Sequence, residues 1–351
     1  MTSTVRVGVI GTGVGVAHIE ALQRVPGAEV TAVCSARAER AAAVAARFGI
    51  PLATDDYREL LAAEVDAVVV ATPPGLHLAM GLDALAAGKH LFCEKPLALN
   101  LDEARRLRDA ARAAGGVHLI NHYVRFAPPF ARLKALVDEG YLGQLAVADA
   151  LITMNPVDYL NAVAWSDTKA GWYTDAAQMG GLLAGAAGPH LIDLLLWCGG
   201  PIVEVAARTT VTHPELALAS GQTVRGVSGE DAFVLIARFA NGRLAVIRGV
   251  SVAYHGGLGF SLSLHGTSGS LFAEGSTLRG ATAADHLPAL LPLPADAPQD
   301  RVGIAARFIA AIRSGDPAPA PTFDDGVAVQ AVLDASLAAA QTDGWVAVPT
   351  G

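Results

Sequence analysis

The sequence predicts an α/β protein: a doubly wound parallel sheet at the N-terminus, followed by an α+β domain with a large, mostly antiparallel open sheet. Three observations predict it. From Val5 to Ile120 short β-branched runs alternate with helical patterns, the arrangement of parallel strands joined by crossover helices. A glycine turn, Gly11-Thr12-Gly13, stands between the first run and the first helix. Beyond about residue 124 the strands alternate in hydropathy, and Asn241-Gly242 separates two of them as a hairpin turn. At 351 residues the chain exceeds one comfortable core, so two domains are expected, 1–123 and 124–351.

The first strand, Val5 to Ile10, runs straight into Gly11-Thr12-Gly13-Val14 and a helix to about Val25. Glycines there let the backbone turn tightly and approach a pyrophosphate at the positive end of the helix, as in a Rossmann domain. The third position of the usual glycine pattern is Val16. The second strand, Glu29 to Cys34, ends in Ser35-Ala36-Arg37. No carboxylate stands there to accept from a ribose 2′-hydroxyl, whereas a hydroxyl and a guanidinium suit a 2′-phosphate. NADP(H) is therefore favoured, with NAD(H) left open. Gly11, Thr12, Gly13, Val14, Ser35 and Arg37 are the cofactor candidates of these two turns.

Asp66 to Ala71 is the apolar run of a strand buried on both faces, and it ends in Thr72-Pro73-Pro74. A helix to Ala87, a strand to Cys93, the turn Glu94-Lys95-Pro96, a helix from Asn100 to Ala114 and a strand to Ile120 complete this half. Ligands of such sheets bind at the carboxyl ends of the strands, where Lys95 falls.

Of the residues, 52% are hydrophobic and 17% charged, with a net charge of −8. That describes a folded protein with no electrostatic reason to bind nucleic acid or an anionic membrane. Cys34, Cys93 and Cys198 lie singly in apolar runs, without metal or disulfide spacing. A reducing, cytoplasmic setting is expected, with no signal peptide and no membrane span.

The set Gly11-Thr12-Gly13 with His18, Thr72-Pro73-Pro74 with His77, Gly88-Lys89-His90, Glu94-Lys95-Pro96 and Tyr123-Val124-Arg125-Phe126-Ala127-Pro128 resembles the glucose–fructose oxidoreductase, inositol dehydrogenase and MocA family. Gly180-Gly181 before His190-Leu191-Ile192-Asp193, His265-Gly266-Thr267-Ser268-Gly269 and Pro321-Thr322-Phe323-Asp324-Asp325-Gly326 extend the resemblance over essentially the whole chain. It implies Thr72, Pro73, His77, Glu94 and Lys95 at the cofactor, Lys95 and His190 as catalytic groups, and a cis Lys95-Pro96 bond. It also implies a homodimer or homotetramer formed through the sheet of the second domain.

That domain opens with a helix from Pro128 to Val137 and a strand from Gln144 to Met154. Residues 155–180 read as a loop whose Trp165, Trp172, Tyr173 and Asp175 suit a sugar-like ligand. A helix over Leu182 to Trp197 carries His190 and Asp193, strands follow near Val203 to Val211, Phe233 to Val250, Phe260 to His265 and Ser270 to Ala273, and two helices close the chain. His122, Tyr123, Arg125, Trp172 and Asp193 are the substrate-binding candidates. Many relatives carry an aspartate four residues before the catalytic histidine, where this chain has Ala186. His190 then works with Lys95 alone, or Asp193, Asp175, His122 or Tyr123 takes over, or activity is weak. The expected reaction is hydride transfer to or from a secondary alcohol or ketone of a sugar, cyclitol or related polyol. Its competitors are a redox-assisted lyase or glycosidase with tightly held cofactor, and a non-catalytic sensor of repressor type.

Overall fold

The computed structural model describes residues 4–155, 181–217, 221, 223–251, 259–285, 287–294, 300–316 and 320–350. By packing it divides into two units, Met1–Tyr123 with Gln299–Gln330, and Val124–Pro298 with Ala331–Thr350.

The first unit alternates strand and helix: β1 (Val5–Ile10), α1 (Gly15–Leu22), β2 (Ala28–Cys34), α2 (Ala38–Phe48), β3 (Leu52–Thr54), α3 (Tyr57–Ala62), β4 (Ala67–Val70), α4 (His77–Ala86), β5 (His90–Cys93), α5 (Leu101–Ala114) and β6 (His118–Ile120). The six strands pair in parallel in the order β3-β2-β1-β4-β5-β6, the doubly wound topology that the alternation predicts. Every residue of β4 is buried, as a strand covered on both faces requires. The strand order reverses beside β1, so the turns after β1 and β4 emerge side by side at the carboxyl edge. The sequence reading passes over β3 and α3, three and six residues long and too short to show a period; Asp56 caps α3 by accepting from the Arg58 N–H at 2.9 Å.

The second unit begins with α6 (Pro128–Asp138), β7 (Leu145–Thr153) and α7 (Gly188–Gly199). Then come β8 (Ile202–Thr210), the short pair β9 (Glu215–Ala217) and β10 (Thr223–Arg225), β11 (Ala232–Phe239), β12 (Leu244–Val250), β13 (Gly259–Gly266), β14 (Gly269–Glu274), β15 (Thr277–Thr282) and β16 (Ala289–Leu290). With β17 (Val346–Ala347), the longer strands form one sheet in the order β16-β15-β14-β13-β7-β12-β11-β8-β17. Its neighbours are antiparallel except β7 and β12. One face carries Phe233, Leu235, Ala237, Phe239, Ala245 and Ile247, all buried, beneath α6 and α7. The other presents Val203, Val234, Ile236 and Leu244 to solvent.

Residues 299–330 lie within 124–351 in the linear division, yet they pack with the first unit. They hold α8 (Asp300–Ser314) and the start of α9 (Phe323–Ala340). Buried Phe308 meets Phe92 of β5 at 5.4 Å between centroids, and buried Phe323 meets His118 of β6 at 6.0 Å. Apolar burial against the parallel sheet, rather than nearness in sequence, decides where these helices belong. No described helix is long and apolar enough to cross a membrane.

Candidate active site

In the first unit the turns at the carboxyl edge are tied together by hydrogen bonds. Gly11 leaves β1 at φ 108° and its N–H donates to the Cys34 carbonyl at 2.8 Å; a Cβ there would sit 2.2 Å from the Ala71 carbonyl oxygen. Only glycine can turn the chain in that space. Thr12 Oγ1 donates to Ser35 Oγ at 3.1 Å, joining the first two turns. Thr72 Oγ1, after β4, is buried and has no hydrogen-bond partner among the described residues. A close-approach glycine turn opening a helix, with an unsatisfied hydroxyl on the neighbouring turn, fits a dinucleotide pyrophosphate. Val14 is partly exposed at the start of α1, and Pro73 follows Thr72. Arg37 is exposed at the start of α2, where its N–H reaches Ser35 Oγ at 3.5 Å.

The turn after β5 is built on Glu94. Its carboxylate is buried, 6% exposed, and Oε1 accepts from His18 Nε2 at 2.8 Å and from Asn121 Nδ2 at 2.6 Å. Oε2 accepts from the Lys95 N–H at 3.1 Å. Burial alone would raise its pKa; the bond from His18, with the charges of His18, Lys95 and Arg301, outweighs burial and holds Glu94 well below the usual carboxylate range. Lys95-Pro96 is cis, as the resemblance implies. His77 is fully buried, with Nε2 at 2.9 Å from the Thr72 carbonyl and Nδ1 at 2.9 Å from the Pro96 carbonyl. Burial lowers its pKa, and a neutral ring donates to one of the two oxygens. The resemblance sets His77 and Glu94 at the cofactor; in the structure both side chains hydrogen-bond the turns at that edge. The Glu94 carboxylate is satisfied where it stands, and the single N–H of the neutral His77 ring serves one carbonyl at a time.

Lys95 itself is half-buried. Burial lowers its pKa to about 8, Glu94 opposes that and Arg301 adds to it. An amine in that range exchanges its proton near neutrality. His122 is fully buried, and Tyr123, after it, lies under the guanidinium of Arg301 at 4.1 Å. Burial raises the Tyr123 pKa, against the pull of Arg301.

In the second unit, a π-helical turn, Leu182–Ala186, leads into α7. Glu230 caps it, Oε1 accepting from the Leu183 N–H at 2.9 Å and the Ala184 N–H at 3.3 Å. Gly188 opens α7 where a Cβ would fall 1.9 Å from the Leu183 carbonyl oxygen. His190, two residues further, is buried edge-on against Phe260, centroids 5.6 Å apart. Asp193 is buried and bound by Arg125, Nε to Oδ2 at 2.8 Å and Nη2 to Oδ1 at 2.5 Å, with the guanidinium 5.3 Å from the Trp197 ring. This bidentate pair is the strong form of an arginine–carboxylate contact. Trp172, like Trp165, Tyr173 and Asp175, lies outside the described residues. Ala186 is buried at the end of the π-helical turn.

The sequence reading gives no role to Asn121, Arg301 or Glu230. Asn121 carries a faint signal, since it follows β6 at the strand end beside β5; Arg301 carries none.

A parallel sheet with a glycine turn and an anchored lysine at its carboxyl edge, joined to an open-sheet unit, defines a class of dinucleotide-binding oxidoreductases. A sequence model of the oxidoreductase family with an NAD-binding Rossmann fold matches residues 5–122, and the GFO/IDH/MocA C-terminal domain matches residues 130–272. The chain belongs to the Gfo/Idh/MocA oxidoreductase family. It is 31% identical to a 1,5-anhydro-D-fructose reductase of Ensifer adhaerens over 93% of each chain. It is 29% identical to the levoglucosan dehydrogenase of Pseudarthrobacter phenanthrenivorans over 90% of this chain and 89% of that one. The structure of a levoglucosan dehydrogenase in complex with NADH and levoglucosan superposes with a TM-score of 0.87 at 27% identity, covering 98% of this chain and 99% of that one.

The Glu94 network predicts a pH dependence. A carboxylate whose folded pKa is depressed stabilises the fold above its unfolded pKa, about 4.3, and loses that contribution as pH falls toward the folded value. Glu94→Gln is expected to lower the unfolding free energy at pH 7 by roughly 3 kcal/mol, as for a broken buried pair. In urea denaturation the gap between wild type and variant should narrow steadily below about pH 4.3; a gap independent of pH would contradict this role.

Proposed function

We propose that the protein is an NADP(H)-preferring oxidoreductase that moves a hydride to or from a secondary alcohol or ketone of a sugar, cyclitol or related polyol. The observation that carries this reading is Lys95: an amine with a pKa of about 8, fixed by its own N–H to buried Glu94 at the carboxyl end of β5. A bound nicotinamide dinucleotide supplies the hydride acceptor or donor. Gly11, Thr12, Gly13 and Val14 would hold its pyrophosphate, with Thr72 and Pro73 on the neighbouring turn. Ser35 and Arg37 would hold a 2′-phosphate; the absence of a carboxylate at the end of β2 supports the phosphorylated cofactor. The related levoglucosan dehydrogenase is in complex with NADH; the preference proposed here rests on Ser35, Arg37 and the missing carboxylate alone.

Lys95 donates a hydrogen bond to the substrate oxygen and stabilises its alkoxide character; as a neutral amine it takes the hydroxyl proton. The resemblance supports His190 as the second proton-transfer group. Alanine stands at position 186, and Asp193 is bound to Arg125. Arg125 and Asp193 then steady α7, while His122 and Tyr123 remain substrate candidates of the first unit. The names of relatives, which act on anhydro-sugars and inositol, support a polyol-like substrate. The first unit serves as the dinucleotide domain and the second as the substrate domain. A homodimer or homotetramer is proposed through the face carrying Val203, Val234, Ile236 and Leu244, an apolar patch that a second copy would cover. The three cysteines, all free, support a reducing cytoplasm.

Two measurements check this reading. Titration with each cofactor should give tighter binding of NADP(H) than of NAD(H), and Arg37→Ala should narrow the difference; tighter NAD(H) binding would overturn the preference. In a screen of polyols and their keto forms read at the nicotinamide absorbance, Lys95→Ala or His190→Ala should lower the chemical rate by about 10²–10⁴, while Ala186→Asp keeps activity. A loss of only a few-fold in both would refute the assignment.

A further inference from the structure

Two opposite charges stand at the centre of the open face of the nine-stranded sheet. β7 is the middle strand, with four strands on either side, and β12 is its parallel neighbour. Asp149 of β7 and Arg248 of β12 are both exposed on this face. The register sets Asp149 beside Val246 and Ser263, and Arg248 beside Leu151 and Val234. Strands about 4.8 Å apart that rise about 3.3 Å per residue place the two Cα atoms about 8 Å from each other. The other charged side chains that the sheet presents on this face pair within the chain: Arg238 with Glu204 at 2.9 Å, Arg208 with Asp343 at 2.8 Å and Arg279 with Glu274 at 3.8 Å. Asp149 and Arg248 make no ion pair among the described residues.

What this face accepts follows from that placement. Around the two charges it is apolar: Val234, Ile236 and Leu244 are exposed, and Leu151 and Val246 are half-buried. An apolar partner laid over it would bury a carboxylate and a guanidinium without compensation, which is strongly unfavourable. A second copy brings the same two charges in the opposite order. When two sheets pack face to face, about 10 Å apart, a two-fold axis lying between them exchanges the positions on its two sides. With the axis midway between Asp149 and Arg248, each carboxylate meets the guanidinium of the other copy. That point lies at the middle of the sheet, so the same axis lays the two apolar faces fully over each other. We propose that Asp149 and Arg248 form two reciprocal ion pairs across a two-fold contact between copies of this chain, and that these pairs fix the register in which the open sheets meet. The forked match of a guanidinium to a carboxylate fixes orientation as well as distance. An axis displaced by one strand leaves both charges buried and unpaired, so the pairs also select against other registers.

This inference rests on the reading of the sheet face as a contact between copies, and its test separates the two. Sedimentation velocity of the full protein over a concentration series gives the dissociation constant of the assembly. Asp149→Arg and Arg248→Asp each bring like charges together and should weaken it by about 100-fold or more. The two reversals combined restore opposite charges and should return it to within about tenfold of wild type. Circular dichroism establishes that each variant folds. Should a reversal not fold, Asp149→Asn, Arg248→Gln and their combination form a cycle whose losses should depart from additivity by about tenfold. Ile236→Asp tests the face itself and should dissociate the assembly. Single reversals that leave the dissociation constant at the wild-type value, a combined reversal no tighter than the singles, or an additive neutral cycle would each overturn the pairing. If Ile236→Asp still dissociates the assembly in that case, the face stands as the contact and only the pairing is refuted. A monomeric wild type refutes both.

Discussion

The first unit depends on one buried carboxylate. Glu94 accepts hydrogen bonds from α1 through His18, from the end of β6 through Asn121 and from the turn it belongs to through the Lys95 N–H. A charge so placed would be costly if any of these donors were missing. With all of them present it ties three elements of the sheet's carboxyl edge to one point. His77 makes a parallel connection, placing its two ring nitrogens against the carbonyls of Thr72 and Pro96. The turn that carries Lys95 is therefore fixed from both sides. The proton-transfer role proposed for Lys95 would need such fixing, because a misplaced group loses much of the rate that orientation supplies.

The second unit uses the same kind of device for α7. Glu230 caps the π-helical turn ahead of it, Gly188 allows the helix to start tight against Leu183, and the Arg125–Asp193 pair anchors its middle. Ala186 falls in the π-helical turn, so the position where many relatives hold an aspartate is here a small apolar residue in a buried segment. Glu230 caps backbone N–H groups and Asp193 is bound to Arg125, while His190 packs edge-on against Phe260.

The legible parts of this structure were local ones. The glycine turn, the strand–helix alternation and the lysine at a strand end are each written within a few consecutive residues, and the parallel sheet follows from them. The hairpin at Asn241-Gly242 is legible for the same reason. What the sequence could not display is pairing across distance. His18, Glu94 and Asn121 lie on three separate elements, and Arg125 meets Asp193 far along the chain, so no spacing announces either network. The same holds for α8: its apolar face is visible in the sequence, but not that Phe308 would choose Phe92 as its neighbour. The bonds of Glu94 and His77 to the turns behind them were not legible either, because a polar residue at a strand end looks alike whether it faces the ligand or the backbone behind it.

The central claim is that Glu94 holds in place the turn that carries Lys95. Its most direct test is Glu94→Gln, measured both for the equilibrium Kd of NADPH and for the single-turnover rate of hydride transfer. The account predicts a Kd within a few-fold of wild type and a chemical rate lower by about 10² or more. A weakened Kd with an unchanged chemical rate would contradict it, and would return Glu94 to the cofactor.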